Sequence, residues 1–219
     1  MKRVILACAG LLVLAASAGA ADLPRRYDPA PVRAPVYGLY NWTGFYIGIN
    51  GGGGWGHSDW TSAGGFDLNG GLIGGTIGYN WQSGPMVFGL EGDIDWTNIK
   101  GSTTVLCGVA CSTRNSWLAT VRGRLGYSFD RFMPYVTGGL AMGDIAARVG
   151  GTEVSSDTNA GWTVGGGLEF AIAGNWTAKA EYLYVDLGDF NCGIACGVGN
   201  PDNVSFRTHI VRGGVNVRF

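Results

Sequence analysis

Apolar and polar residues alternate with a period of two along most of the chain after residue 40. Such alternation is typical of strands with one apolar face and one polar face. It predicts about eight strands of roughly ten residues each, the length that a tilted strand needs to cross a hydrocarbon layer. The predicted strands are 44–54, 72–81, 86–97, 117–129, 134–147, 161–172, 176–185 and 205–219. In the fifth of these, the set Val136, Leu140, Met142 or the set Tyr135, Thr137, Ala141 could face lipid.

The connections between these strands alternate in length. Three are tight, namely 82–85, 130–133 and 173–175, and four are long, namely 57–70, 99–116, 148–160 and 186–204. Short turns at one rim and long loops at the other are typical of outer-membrane barrels. The pattern therefore predicts an all-β fold, an eight-stranded antiparallel transmembrane β-barrel with short periplasmic turns and long extracellular loops. A soluble barrel of the lipocalin type is the alternative, with its apolar face inside.

Charge distribution favours the membrane barrel over the soluble one. Acids and bases on the polar faces nearly balance, which suits an interior network of ion pairs, because a buried charge needs a partner. Aromatic residues such as Trp81, Trp96 and Trp117 stand at strand ends, where they would form girdles at the two membrane interfaces. The predicted interior charges are Glu91, Asp93, Asp95, Arg122, Arg124, Glu169, Lys179, Glu181, Arg212 and Arg218.

The N-terminal part has the composition of an export signal. Met1-Lys2-Arg3 precedes an apolar run and the small residues Ala18-Gly19-Ala20, which predicts a signal peptide over 1–20. Residues 21–39 contain four prolines and are predicted to be an extended periplasmic leader, followed by the barrel over 40–219. Removing Lys2 and Arg3 from 15 basic residues leaves 13 against 16 acidic residues, a balance that does not suggest nucleic acid as a partner.

Two features of the sequence carry a resemblance to known proteins. Val215, Val217 and the terminal Phe219 continue an alternating strand and resemble the signal that the barrel-assembly machinery recognises. The run Asn41-Trp42-Thr43-Gly44-Phe45-Tyr46-Ile47-Gly48, with Leu90-Glu91-Gly92-Asp93 and Lys179-Ala180-Glu181-Tyr182 further on, resembles the small porin-like outer-membrane immunogenic proteins of alphaproteobacteria. The resemblance implies a surface-layer barrel in the cell outer membrane, with envelope and host-facing roles and no shared catalytic residues.

The cysteines of the predicted barrel form two pairs with the same spacing. Cys107 and Cys111 lie in one predicted loop, and Cys192 and Cys196 lie in another. In an oxidising compartment we expect one disulfide within each loop. A joint four-thiolate metal site is the alternative, but the spacing differs from that of zinc ribbons and no histidine is nearby in sequence.

Three classes of function fit these features. The first is a structural envelope protein that exposes its loops, the second a small-solute porin, and the third a lipid-modifying enzyme. An eight-stranded interior is just wide enough to be filled by side chains, which favours the first. His57-Ser58-Asp59 and His209 are the histidine-containing candidates for catalysis, but adjacent residues in one loop seldom give a base within reach of a nucleophile. We predict no enzyme activity, no cofactor and no metal. The expected partners are outer-membrane lipid and lipopolysaccharide, the barrel-assembly machinery and periplasmic chaperones.

Overall fold

Eight antiparallel strands close into a barrel in which each strand pairs with its neighbours in sequence and β8 returns to β1. The computed structural model describes residues 40–60, 64–103, 111–149, 152–193 and 202–219. The predictions for a signal peptide over 1–20 and a leader over 21–39 lie outside these residues. The strands are β1 (Gly44–Trp60), β2 (Gly64–Ser83), β3 (Met86–Thr103), β4 (Cys111–Tyr127), β5 (Phe132–Val149), β6 (Thr152–Ala173), β7 (Trp176–Gly193) and β8 (Asp202–Arg218).

The strands are longer than the alternation predicted. β2 begins at Gly64, not at residue 72, and β6 begins at Thr152, not at residue 161. Backbone pairing continues through these polar segments, as in the register partners His57 and Asp67. In this part of β2 the apolar residues Phe66 and Leu68 face inward and Asp67 faces outward, the reverse of the membrane part, so the lipid-facing apolar period does not mark the strand. The predicted long loops are therefore largely paired hairpin extensions, and the prediction that His57 lies in a loop was wrong.

The outward face of the barrel is apolar. Ile49, Ile73 and Leu90 are 71%, 67% and 68% exposed, respectively. Surfaces with this many exposed aliphatic and aromatic side chains belong in lipid. In β5 the structure settles the face that the sequence left open, since Val136, Leu140 and Met142 face outward and Tyr135, Thr137 and Ala141 face inward. The predicted transmembrane barrel is confirmed, and the soluble alternative is excluded by the direction of the apolar face.

The start of β1 and the last residue of the chain lie together at the rim that carries the short turns. The Phe219 backbone N–H donates to the carbonyl oxygen of Phe45 at 2.9 Å, which extends the β1 and β8 ladder to the last residue. We assign this rim to the periplasm, because short turns lie there in outer-membrane barrels. The described residues contain no helix that is long and apolar enough to cross a membrane.

The interior is filled in three layers. At the periplasmic end, Trp42 lies beneath the barrel and packs with Val87, Met133, Tyr135 and Ala171. Charged side chains fill the middle. Toward the extracellular end, a second apolar cluster fills the barrel, and it comprises Phe66, Leu68, Leu72, Ile99, Leu118, Ala141, Ile145, Leu183, Val185, Leu187, Phe206 and Ile210. The charged layer is thus enclosed by apolar side chains from both ends.

Substitution of two adjacent glycines of β5, Gly138 and Gly139, tests how closely the strands pack. A methyl group on Gly139 would lie 2.1 Å from the Val121 carbonyl oxygen and 2.7 Å from the Arg122 Cα atom, whereas on Gly138 its closest neighbour would be 3.5 Å away. We expect Gly139→Ala to lower the free energy of unfolding by about 1–3 kcal/mol because the backbone of β4 must shift. Gly138→Ala is expected to change it by less than about 0.5 kcal/mol. Urea unfolding of both refolded variants measures the difference, and equal losses would contradict the packing described.

Candidate functional site

A buried guanidinium group lies at the centre of the charged layer. Arg122 donates to Glu91 Oε1 at 2.6 Å, to Asp93 Oδ2 at 2.7 Å and to Glu181 Oε1 at 2.9 Å. All four side chains are at most 1% exposed. One arginine therefore joins acids from β3 and β7, which lie on different sides of the barrel.

Arg212 forms a second bridge across the interior. Its Nη1 atom donates to Asp93 Oδ1 at 2.8 Å and to Asp95 Oδ2 at 2.7 Å, and its Nε atom donates to Glu181 Oε2 at 2.9 Å. Asp93 and Glu181 are thus shared between Arg122 and Arg212. The four strands β3, β4, β7 and β8 are linked through this one network.

The network continues toward the periplasm. Arg124 donates to Glu169 Oε2 at 2.6 Å, and Lys179 Nζ donates to Glu91 Oε2 at 3.0 Å. Five carboxylates and four cations are buried in this layer. Because the charges nearly cancel and almost all are hydrogen-bonded, the desolvation cost of each is offset by its partners.

Strand register brings these residues together. Glu91 lies directly opposite Arg122, Glu169 opposite Lys179, and Glu181 opposite Arg212. Side chains directly opposite one another in antiparallel strands point to the same face. The alternation of each strand turns that face inward, and closure of the barrel supplies the contacts between distant strands.

Neutral side chains complete the network, and sequence reasoning missed them. Tyr46 Oη donates to Glu91 Oε2 at 2.8 Å, and Tyr135 Oη donates to Glu181 Oε1 at 3.1 Å. Thr120, Thr177 and Asn216 donate to the acids at 2.6–3.0 Å. Tyr46 and Asn216 each lie between two apolar residues, so the alternation indicates that their side chains point inward. It does not indicate which acid they bind. The charged residues alone define only part of the site.

Arg218 is the predicted interior charge that the structure does not bring into this network. Its guanidinium carbon lies 4.3 Å from the centre of the Tyr40 ring, at the periplasmic rim. Partial burial raises the pKa of the Tyr40 phenol, although the Arg218 charge opposes that shift. Tyr40 and Trp42 form an edge-to-face pair, with ring centroids 4.8 Å apart, that lies below the network and closes the barrel there.

The structure describes the predicted assembly signal but only part of the predicted disulfides. Val215 and Phe219 face outward on the last strand, with Val217 half-buried between them, and their role in assembly stays a prediction. Cys107 and Cys196 lie outside the described residues, as do the side chains of Cys111 and Cys192, so the two disulfides also stay predictions. Among the described residues, no group of three or more His, Cys, Asp or Glu side chains is placed to hold a metal ion.

The residues considered for catalysis do not form a catalytic group. Ser58 is buried on the inward face of β1, whereas His57 is exposed and contacts Asp59 and Asp67 at 3.4 and 3.0 Å. Neighbouring residues in a strand point to opposite faces, so His57 cannot act as a base for Ser58. The other histidine, His209, shares a 2.7 Å hydrogen bond with the Tyr182 hydroxyl on the outward face.

Comparison with known proteins agrees with this architecture. A family model described as an outer membrane protein beta-barrel domain matches residues 6–219. The 31 kDa outer-membrane immunogenic protein of Brucella melitensis is 40% identical, with 100% of each chain covered. The 22 kDa outer membrane protein of Rhizobium leguminosarum bv. viciae is 38% identical over 70% of this chain and 68% of its own. Among solved structures, Neisserial surface protein A is similar at 20% identity, with a TM-score of 0.47 over 81% of this chain and 98% of that one.

The match to the family model covers nearly the whole chain, and the identity to the Brucella protein extends over its full length. The barrel fold, its apolar outer face and the names of its relatives all indicate the outer membrane. The protein lies in the bacterial outer membrane and belongs to the outer-membrane β-barrel family that includes the outer-membrane immunogenic proteins.

Proposed function

We propose that the protein is a structural, non-conducting barrel that stabilises the envelope and presents its extracellular hairpins to the surroundings. One observation carries this proposal, namely the buried ion-pair network with apolar layers on both sides of it. The buried side chains of these layers leave little room for a file of water between the two rims, which supports a barrel that does not conduct. The immunogenic names of the relatives support the exposure of the hairpins to a host.

Two other functions have less support from the interior and from the histidines. A small-solute porin needs a continuous polar path, but Trp42 and the extracellular apolar cluster stand in that path. A lipid-modifying enzyme needs a nucleophile beside a base, but His57 and Ser58 face opposite sides of β1. Both arguments favour a structural protein that acts through its exposed hairpins.

Single-channel recording of the purified protein in planar lipid bilayers tests this proposal. We expect current at the baseline with no steady openings, because the paired charges and the apolar layers block ions. A general porin recorded under the same conditions serves as the positive control. Steady, large openings from the folded protein would overturn the proposal in favour of a porin.

A further inference from the structure

Two cations lie side by side on the outward face, above the membrane part of the barrel. Lys100 on β3 and Arg114 on β4 are register partners, and both side chains are exposed. Register partners lie with Cβ atoms about 5 Å apart on the same face. The two positive groups can therefore reach a single small anion together.

The pair lacks acidic partners. Within the described part of the chain, neither Lys100 nor Arg114 forms an ion pair with a carboxylate. Like charges directly opposite each other destabilise a sheet. By contrast, the exposed Arg207 on β8 has Asp186 at 3.4 Å. An anion bound between Lys100 and Arg114 would remove a repulsion that the sheet itself leaves uncompensated.

The cations line a polar groove with a volume of about 710 Å³. Asn69 on β2 is the register partner of Lys100, so Lys100 lies between Asn69 on one side and Arg114 on the other. Asn98 and Ser102 flank Lys100 on the outward face of β3, and Ser112 lies beyond Arg114 on β4. The carboxylate in this groove, Asp67, is engaged by His57 at 3.0 Å. Amides and hydroxyls beside paired cations suit a ligand that joins a phosphate to sugar hydroxyls.

The height of the groove points to a lipid headgroup. Directly below it, the register partners Trp96 and Trp117 belong to the outward face, and Trp96 is 64% exposed. Tryptophans at this position mark the level where acyl chains give way to headgroups. Lys100 is four residues further along β3, about 13 Å along the strand and about 10 Å along the barrel axis. The headgroup layer extends about 5–8 Å beyond the hydrocarbon, and the long Lys and Arg side chains at this height can reach down to it.

We propose that Lys100 and Arg114 form a site for the phosphate of a phosphorylated glycolipid in the outer leaflet. Arg114 binds the phosphate through its planar guanidinium fork and Lys100 as a point charge. Asn69, Asn98 and Ser102 meet the sugar hydroxyls, and the acyl chains lie against the apolar face below Trp96. The site depends on the orientation of the barrel in the outer membrane and is independent of whether the interior conducts.

Native mass spectrometry of the folded barrel in neutral detergent tests the site. The probes are bisphosphorylated lipid A, its dephosphorylated form and inorganic phosphate. We expect the double variant Lys100→Gln/Arg114→Gln to bind bisphosphorylated lipid A about tenfold or more weakly than the parent, since hydrogen bonds to charged groups are lost. The parent is expected to bind dephosphorylated lipid A as weakly as the variant binds the phosphorylated form.

Arg207→Gln is the matched control, because Arg207 is also an exposed arginine of the extracellular half but already has an acidic partner. It is expected to keep the affinity of the parent. An equal loss in the control would show attraction to net charge alone and would overturn the proposal. Inorganic phosphate bound as tightly as lipid A would overturn the assignment to a lipid. Retention of a boiling-dependent shift in gel mobility by each variant shows that it has folded.

Discussion

Arg122→Met is expected to lower the free energy of unfolding of the barrel by about 3–5 kcal/mol, the cost of breaking a buried ion pair by removing one partner. The methionine side chain is shorter but keeps the aliphatic contacts of the arginine stem, while the charge and its hydrogen bonds are lost. Glu91, Asp93 and Glu181 would then lose their shared donor inside a closed barrel. Urea unfolding of the refolded protein in lipid vesicles, followed by tryptophan fluorescence, measures the loss.

Arg207→Met provides the comparison for this result. The Arg207 side chain is 54% exposed and pairs with Asp186 at 3.4 Å. Exposed ion pairs contribute about 0–1 kcal/mol, so this variant should unfold near the parent. Losses of equal size in the two arginine variants would show that the interior network does not stabilise the barrel as described.

Trp42→Ala is expected to have an effect of the same order, about 3–5 kcal/mol, through a different mechanism. The indole is 1% exposed, packs beneath Met133 and Tyr135, and donates from Nε1 to the Asp130 carbonyl oxygen at 3.0 Å. Its removal leaves a cavity below the charged layer. Unfolding in urea under the same conditions measures the loss.

The conservative variant Trp42→Phe separates packing from hydrogen bonding. It keeps an aromatic ring in the cavity and removes the indole N–H, so its loss should be clearly smaller than that of Trp42→Ala. If Trp42→Ala unfolded at the same urea concentration as the parent, the segment before β1 would not close the periplasmic end in the folded protein.

Much of the barrel could be predicted from the sequence because the membrane part obeys a simple rule. In β3 and β4, a mostly apolar face alternates with a face that carries the charged residues, which identified both the strands and the inward acids and arginines. A one-residue slip would expose every charge to lipid, so the pattern fixes the register strongly. The same rule failed above the membrane, where outward residues such as His57 and Asp67 are polar and the apolar residues face inward.

The interior could be predicted only in part, because its contacts depend on closure of the barrel. Alternation places Asp93 and Arg212 inward, but nothing in the sequence shows that residues 119 positions apart form a 2.8 Å hydrogen bond. Arg218 has the right phase and still lies outside the network, at the rim. Leu68, Ile99 and Phe206 of the extracellular apolar cluster were missed, since Leu68 and Ile99 fell in predicted loops and Phe206 near a strand end.

The central claim is that the apolar face of a closed barrel lies in the lipid of the outer membrane, with the charges paired inside. The most direct test is to extract the outer membrane and compare unboiled and boiled samples on a denaturing gel. A closed, detergent-resistant barrel predicts that the unboiled protein migrates differently from the boiled, unfolded chain. A protein found soluble in the periplasm, with the same mobility before and after boiling, would contradict the account.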